Sequence, residues 1–248
     1  MSRYRILTLN IHKGFSLGNR QFTLELIRES LRSSQANVVF LQEVVGENLK
    51  HREKISDWPD GNQMEYLADS VWDHFAYGKN AIYQHGHHGN AILSEIPFKE
   101  SRNINISCLS FSRRGILHGL TQEGVNLLCV HLGLFENERS QQMDRLIDYV
   151  QKNIADHAPL ILAGDFNDWR KKCHGRLQAE LGVQESHQLA QGHLAKTYPA
   201  NFPVLAMDRI YQRGFEVIES RILEGKSWRR MSDHLGLYTE LGLKYGIT

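Results

Sequence analysis

The chain has 248 residues, 41% hydrophobic and 23% charged, with 29 Lys+Arg against 28 Asp+Glu and a formal net charge of +1. That balance excludes the global basic field that drives non-specific DNA binding, and no segment approaches the roughly 18 consecutive apolar residues of a membrane-spanning helix. Cys108, Cys129 and Cys173 are too far apart in sequence for a disulfide framework or a zinc cluster.

The first element, "YRILTLNI", is a short apolar strand with a polar tip at Asn10. The polar residues Asn10 and His12 interrupt the start too early for a signal-peptide apolar region, so the expectation is a cytoplasmic protein with no stable membrane insertion. In "FTLELIRESLRSSQ", Leu24, Ile27 and Leu31 recur at helical spacing and predict an amphipathic helix. "ANVVFLQEV" then predicts a buried strand ending in Gln42 and Glu43.

Five short strand-like runs follow, "HFAYGKNAIYQ", "GNAILS", "FKESRNINISCLSF", "GILHGLTQ" and "VNLLCVHL", with "QEG" as a hairpin turn between the last two. Successive strands without an intervening helix predict an antiparallel region. The histidines of "QHGHHGN", His85, His87 and His88, have no defined ligand geometry and read as a glycine-rich rim loop rather than a zinc site. Met143, Leu146, Ile147, Val150 and Ile154 mark a second long helix between Glu136 and His157, and the buried strand "PLILAG" follows it. A weaker helix near "GRLQAELG" and the strands "LAMDRIYQ", "FEVIESRILE" and "LGLYTEL" complete the chain. No linker-like stretch divides it, so residues 1–248 are read as a single domain.

Seven polar groups interrupt or end separate strand-like runs: Asn10, Glu43, His131, Asp165, Asn167, Asp208 and His234. Each alone has an ordinary structural reading: a turn for Asn10, a buried salt bridge for Glu43, a satisfied core histidine for His131, a structural ion pair for Asp208. Asp168 reads as a cap for the turn that follows it. Their conjunction points elsewhere. Strand ends converge at one edge of a two-sheet sandwich. Carboxylate and amide oxygens gathered there without cysteines suit a hard cation, Mg²⁺ or Mn²⁺, better than zinc. An Asp and a His on adjacent strands suit acid–base chemistry, and the set reads as metal-assisted hydrolysis of a phosphoester.

The ordered motifs "TLNIHKG", "FLQEV", "GNAILSEIP", "VHL", "GDFND", "MDRIY" and "SDHLGL" resemble the endonuclease/exonuclease/phosphatase superfamily over nearly the whole chain, in particular its small bacterial members. The resemblance implies a DNase I-like α/β fold, a four-layer sandwich of two packed mixed β-sheets with helices outside, and a site at one rim of the sheets. It implies Glu43 as main metal ligand with Asn10 beside it and Asp233 near or in the metal shell. Asp165 orients or deprotonates the attacking water, and Asn167 holds a phosphate oxygen. His234, oriented by Asp208, contacts the scissile phosphate and shares proton transfer, while His131 stabilises charge on the phosphate or leaving oxygen. Asn90 of "GNAILSEIP" is assigned to substrate contact, as are Arg113 and Arg114 of "SFSRRGILHG", either of which suits a phosphate clamp. Arg209 departs from the pattern, standing where many relatives carry an aromatic residue or His.

The expected partner is a phosphoester, whether a small molecule, a lipid head group or nucleic acid, and the sequence indicates no protein partner. The segment Asn48 to Gly86, mixed in charge and rich in aromatics, is expected to build the rim with the three-histidine loop. Such a rim suits a compact phosphoester or a flexible single strand better than a duplex. The rival readings are a DNA or RNA nuclease on the same fold and a non-catalytic phosphate-binding module.

Overall fold

The computed structural model describes residues 2–244. β1 (Arg3–Asn10), α1 (Leu24–Ser33) and β2 (Val38–Asn48) form a strand–helix–strand unit with β1 and β2 parallel. Two short helices, α2 (Leu49–Lys54) and α3 (Gln63–Ala68), lead to the hairpin of β3 (His74–Tyr83) and β4 (Gly86–Ser94), and β4 lies antiparallel to β2. The meander β5 (Phe98–Asn105), β6 (Gly115–Thr121) and β7 (Asn126–His131) begins the second sheet. A second unit repeats the first: β7, α4 (Glu136–Asn153) and β8 (Leu160–Asp165), with β7 and β8 parallel.

α5 (Lys172–Leu181), the two-residue β9 (Gln184–Glu185), α6 (Ser186–Gln191) and β10 (Asp208–Arg213) finish the second sheet. β11 (Phe215–Leu223), α7 (Lys226–Met231) and β12 (Gly236–Leu243) return the chain to the first, where β12 pairs antiparallel with β1. The strand orders are β11-β12-β1-β2-β4-β3 and β5-β6-β7-β8-β10-β9.

Burial follows the strand alternation. Ile6, Val38, Phe40 and Ile92 of the first sheet meet Leu117, Leu127, Cys129, Ile161 and Ile210 of the second in a shared apolar layer. The opposite faces take the helices: Leu7, Leu9, Val39 and Leu41 pack with Ile27 and Leu31 of α1, and Leu128, Val130 and Leu162 pack with Met143, Leu146 and Val150 of α4. The result is the four-layer sandwich with two mixed sheets and outer helices that the resemblance implies.

Three expectations are corrected. β2 does not end at Gln42 and Glu43 but continues to Asn48 through a bulge, because Leu41 faces Ala91 while Val44 faces Gly89, which places one extra residue on β2. His87 and His88 are not in a loop: they lie on β4 between β2 and β3, and His87 Nδ1 is 3.0 Å from the Tyr77 hydroxyl. The segment after Asn48 does not wall the catalytic cavity. Trp58 stacks on Phe22 at 5.1 Å, and Met64 and Leu67 of α3 with Trp72 join the core of the first sheet.

Candidate active site

The two parallel pairs put the C-terminal ends of β1, β2, β7 and β8 at one rim, and the antiparallel β10 and β12 start there. Their ends carry the polar tips, so Asn10, Glu43, His131, Asp165, Asn167, Asp233 and His234 line one cavity of about 540 Å³. Asp208 lies just beneath, fully buried and paired in register with Asp165.

Asp165 sits at the centre. Gly164 precedes it with φ 145°, and a Cβ there would stand 1.9 Å from the Val130 carbonyl oxygen, so only glycine lets β8 approach β7 at this point. Asp165 Oδ1 accepts from the Asn167 backbone N–H (2.9 Å), and Oδ2 accepts from Asn10 Nδ2 (3.2 Å) across the two sheets. Oδ2 also lies 3.5 Å from His131 Nε2 and 3.8 Å from His234 Nε2. Asn167, in the left-handed region at φ 49°, donates Nδ2 to the Leu132 carbonyl (2.9 Å).

His234 is held from behind by Asp208, whose Oδ2 is 2.8 Å from His234 Nδ1 and accepts from the Thr197 hydroxyl at 2.6 Å. Tyr198 packs on the imidazole with ring centroids 4.8 Å apart. Burial disfavours the imidazolium, but Asp208, Asp165 and Asp233 outweigh it and raise His234 to about 10. Burial also raises the Asp165 carboxyl, against the opposing pull of His234, to about 7. His131 is driven well below the ordinary histidine range, by burial first and then by the Arg114 guanidinium. Within one cavity the two imidazoles are thus held in opposite protonation states.

Across the cavity, the bulge in β2 places Glu43 in the left-handed region at φ 59°. Burial raises its carboxyl, yet His131, Lys13, His88 and His12 together hold it down at about 2. His131 and His88 are themselves pushed towards neutrality by burial. Lys13, with Nζ 3.5 Å from Glu43 Oε2, is therefore the standing positive charge. No hydrogen-bond donor reaches the buried Glu43 Oε2 among the described residues. An ionised carboxylate whose buried Oε2 accepts no hydrogen bond and meets only the Lys13 ammonium among the described residues, lining the same cavity as the Asn10 amide and Asp233, fits a hard divalent cation. By spacing alone Asp165, Asp208 and His234 form a second candidate group, with ligand atoms within 4.8 Å of one another. Asp208 Oδ2 is shared by His234 and Thr197, which suits orientation of the imidazole, while its buried Oδ1 accepts no hydrogen bond among the described residues.

Not every expected residue reaches the cavity. Asn90, buried opposite the β2 bulge, spends Nδ2 on the carbonyls of Gly115 (3.1 Å) and Cys129 (3.3 Å), so it ties the sheets together below the site. Arg114 lines the cavity and Arg113 does not. Asp168 caps α5, accepting from the N–H groups of Lys172 and Cys173 at 2.9 Å each, and pairs with Arg209 at 3.0 Å with both side chains fully buried. This accounts for the departure at Arg209: it is a structural partner of the "GDFND" turn.

Sequence reasoning missed His12, Lys13, Leu134, Trp169, Tyr198, Leu205 and Met207 on the cavity wall. His12 and Lys13 stood inside the quoted "TLNIHKG", directly after the strand tip. Tyr198 had no comparable signal, because its loop is brought to His234 only by tertiary folding.

With these seven polar side chains gathered in one cavity, the relationship to known proteins is direct: residues 7–234 match the profile of the Endonuclease/Exonuclease/phosphatase family. The chain belongs to that family. Its members are nucleases, phosphodiesterases and phosphatases, mostly hydrolytic, and typically use a divalent metal. The chain is 40% identical over 245 residues to "Uncharacterized protein YbhP" of Escherichia coli (strain K12), covering 97% of this chain and 96% of that one. Among solved structures, an endonuclease/exonuclease/phosphatase from Beutenbergia cavernae superposes with a TM-score of 0.80 at 20% identity, over 98% of this chain and 72% of that one. D. rerio TDP2 complexed with single strand DNA product gives 0.67 at 22% identity, over 98% and 100%. These two likenesses speak to the fold. No helix among the described residues is long and apolar enough to cross a membrane.

Proposed function

We propose that the protein is a Mg²⁺- or Mn²⁺-dependent phosphohydrolase or phosphodiesterase, acting in the cytoplasm as one catalytic domain on a small or flexible phosphoester. The observation that carries this reading is the presence, in one cavity, of the ionised Glu43, whose Oε2 accepts no hydrogen bond, and of His234 and Asp165 with Asp208 behind them.

Glu43, Asn10 and Asp233 would hold the cation, which supplies Lewis-acid neutralisation of phosphate charge when bound. Asp165, raised to about 7 by burial, is a general base matched to neutral pH. It takes the proton of a water aligned for in-line attack on phosphorus, and the ester P–O bond breaks on the opposite side. His234, kept as the imidazolium by Asp208, directs Nε2–H to a phosphate oxygen and shares in proton transfer. His131, neutral, contacts the phosphate or leaving oxygen without competing for the proton on His234. Asn167 and Arg114 complete the phosphate cradle. Positioning and charge stabilisation provide most of the rate enhancement in such a site.

The test is hydrolysis of bis-p-nitrophenyl phosphate with Mg²⁺, Mn²⁺ or EDTA, followed by a panel of single-stranded and plasmid DNA, RNA, lysophospholipids and inositol phosphates. Metal-dependent turnover abolished by His234→Ala is expected. Binding of phosphoesters without turnover would instead establish the non-catalytic module.

A further inference from the structure

Arg113 and Arg114, adjacent in sequence, share one cavity, and Arg114 reaches a second. Arg114 lines the catalytic one and also a neighbouring cavity of about 280 Å³, whose other walls include Lys79, Asn80, Asn103, Asn105 and Arg113. This second cavity straddles the edges of both sheets, with Lys79 and Asn80 on β3 and Asn103 and Asn105 on β5. No carboxylate among the described residues lines it. Arg102, also on β5, is neutralised by Glu100 at 2.8 Å, whereas Lys79, Arg113 and Arg114 form no ion pair among the described residues. In a chain whose net charge is only +1, three cations without a paired carboxylate on the wall of one small cavity make a local positive field that favours an anion.

The neutral part of the wall is built in. Asn103 Nδ2 donates to the Lys79 carbonyl (3.2 Å) and to Asn80 Oδ1 (3.1 Å). These amides occupy space that two glycines leave open: a Cβ on Gly115 would meet Asn80 Oδ1 at 2.2 Å, and one on Gly78 would meet Asn103 Oδ1 at 2.4 Å. Asn105 Oδ1 accepts from the Ser107 N–H at 2.9 Å. With their oxygens engaged, Asn80 and Asn105 keep their NH₂ groups as donors. The cavity thus combines cationic and neutral donors, the pairing that phosphate oxygens select.

We infer that this cavity is a second anion subsite, which takes a non-scissile phosphate of the substrate while the scissile phosphoester occupies the catalytic cavity and Arg114 bridges the two. The inference rests on the hydrolytic reading above and deepens it: the substrate carries at least two phosphates a short distance apart. The phosphates of a nucleotide chain and of an inositol bisphosphate share this chemistry.

The test is isothermal titration of the full chain, in Ca²⁺, with thymidine 5′-monophosphate against thymidine 3′,5′-bisphosphate and with inositol 1-phosphate against inositol 1,4-bisphosphate. At least one bisphosphate should bind about tenfold or more tightly than its monophosphate, and the pair that shows the preference identifies the source. In Lys79→Ala/Arg113→Ala, both side chains being exposed, the ratio should fall to about one with the thermal midpoint unchanged, and Arg113→Lys should retain part of it. Equal affinities in the native protein, or a preference that survives the double substitution, would overturn the subsite. Bis-p-nitrophenyl phosphate has a single phosphate, so its hydrolysis reports on the proposed reaction separately. Hydrolysis without any bisphosphate preference rejects the subsite alone, and preference without hydrolysis supports two-anion recognition while rejecting the hydrolytic role.

Discussion

Asp208 Oδ2 lies 2.8 Å from His234 Nδ1 and receives the Thr197 hydroxyl on the same oxygen, which fixes the imidazole so that Nε2 points towards Asp165. The carboxylate on the second sheet thereby orients a histidine carried by the first.

The pair should behave as one unit. Asp208→Asn and His234→Ala should each lower kcat by about 10²–10⁴-fold, and the double variant little more than the worse single, because an imidazole without its orienting carboxylate is poorly placed. A double-mutant cycle in kcat checks this, and losses that multiply independently would separate the two roles.

Glu43→Gln should raise the metal concentration for half-maximal activity by about tenfold or more while leaving the fold intact. Among the described residues its one ion pair is with the half-exposed Lys13 at 3.5 Å, so the substitution removes a long, partly screened contact. Metal titration of activity and a thermal melt are the measurements. A stability loss of several kcal/mol with an unchanged metal response would make Glu43 a structural residue.

Arg209→Met should be among the most damaging single changes outside the cavity. It leaves Asp168 ionised at 0% exposure with its guanidinium partner gone, a situation that costs about 3–5 kcal/mol. Urea denaturation should show the loss, and the double variant Asp168→Asn/Arg209→Met should recover part of it.

Glu185 offers a pH test remote from the chemistry. Burial raises its carboxyl from 4.5 to about 7, although its Oε2 accepts the Gln188 N–H that starts α6. The folded state therefore binds this proton more tightly than the unfolded state does, and stability from this group falls as pH rises from about 4.5 to 7. Glu185→Gln should match the native protein at pH 4 and exceed its stability by about 3 kcal/mol at pH 8. Parallel stability curves over that range would remove the premise.

Long double-stranded DNA should be a poor substrate at about 150 mM salt, since each phosphate neutralised contributes about −0.9 to the slope of log K against log salt and the net charge is only +1. Plasmid nicking by pure protein, absent in His234→Ala, would reverse this.

The strand–helix–strand units were legible because their periodicities are local: Leu24, Ile27 and Leu31 declare α1 by spacing alone, and the apolar runs before Asn10 and Asp165 declare β1 and β8. The polar strand ends were legible for the same reason, each interrupting a pattern. What stayed hidden depends on partners distant in sequence. α3 and α7 are short and carry too few turns for a periodic signal. Arg113 and Arg114 are neighbours in sequence, and only the path of the chain into β6 lets Arg114 alone reach the catalytic cavity as well as the one they share. Asn90 looked like a site residue because it stands in a motif, but its hydrogen bonds to Gly115 and Cys129 cross between sheets that no local pattern relates.

The bond from Asn10 to Asp165 joins the tip of one sheet to the tip of the other. Glu43 and His234 come from the first sheet, and His131, Asp165 and Asp208 from the second. Neither sheet alone holds the whole centre, and sliding one sheet over the other would pull Asp208 from His234 before any strand unravelled. Activity should therefore vanish at or before the denaturant concentration at which circular dichroism first changes, which would make catalysis the most sensitive gauge of how the two sheets are seated.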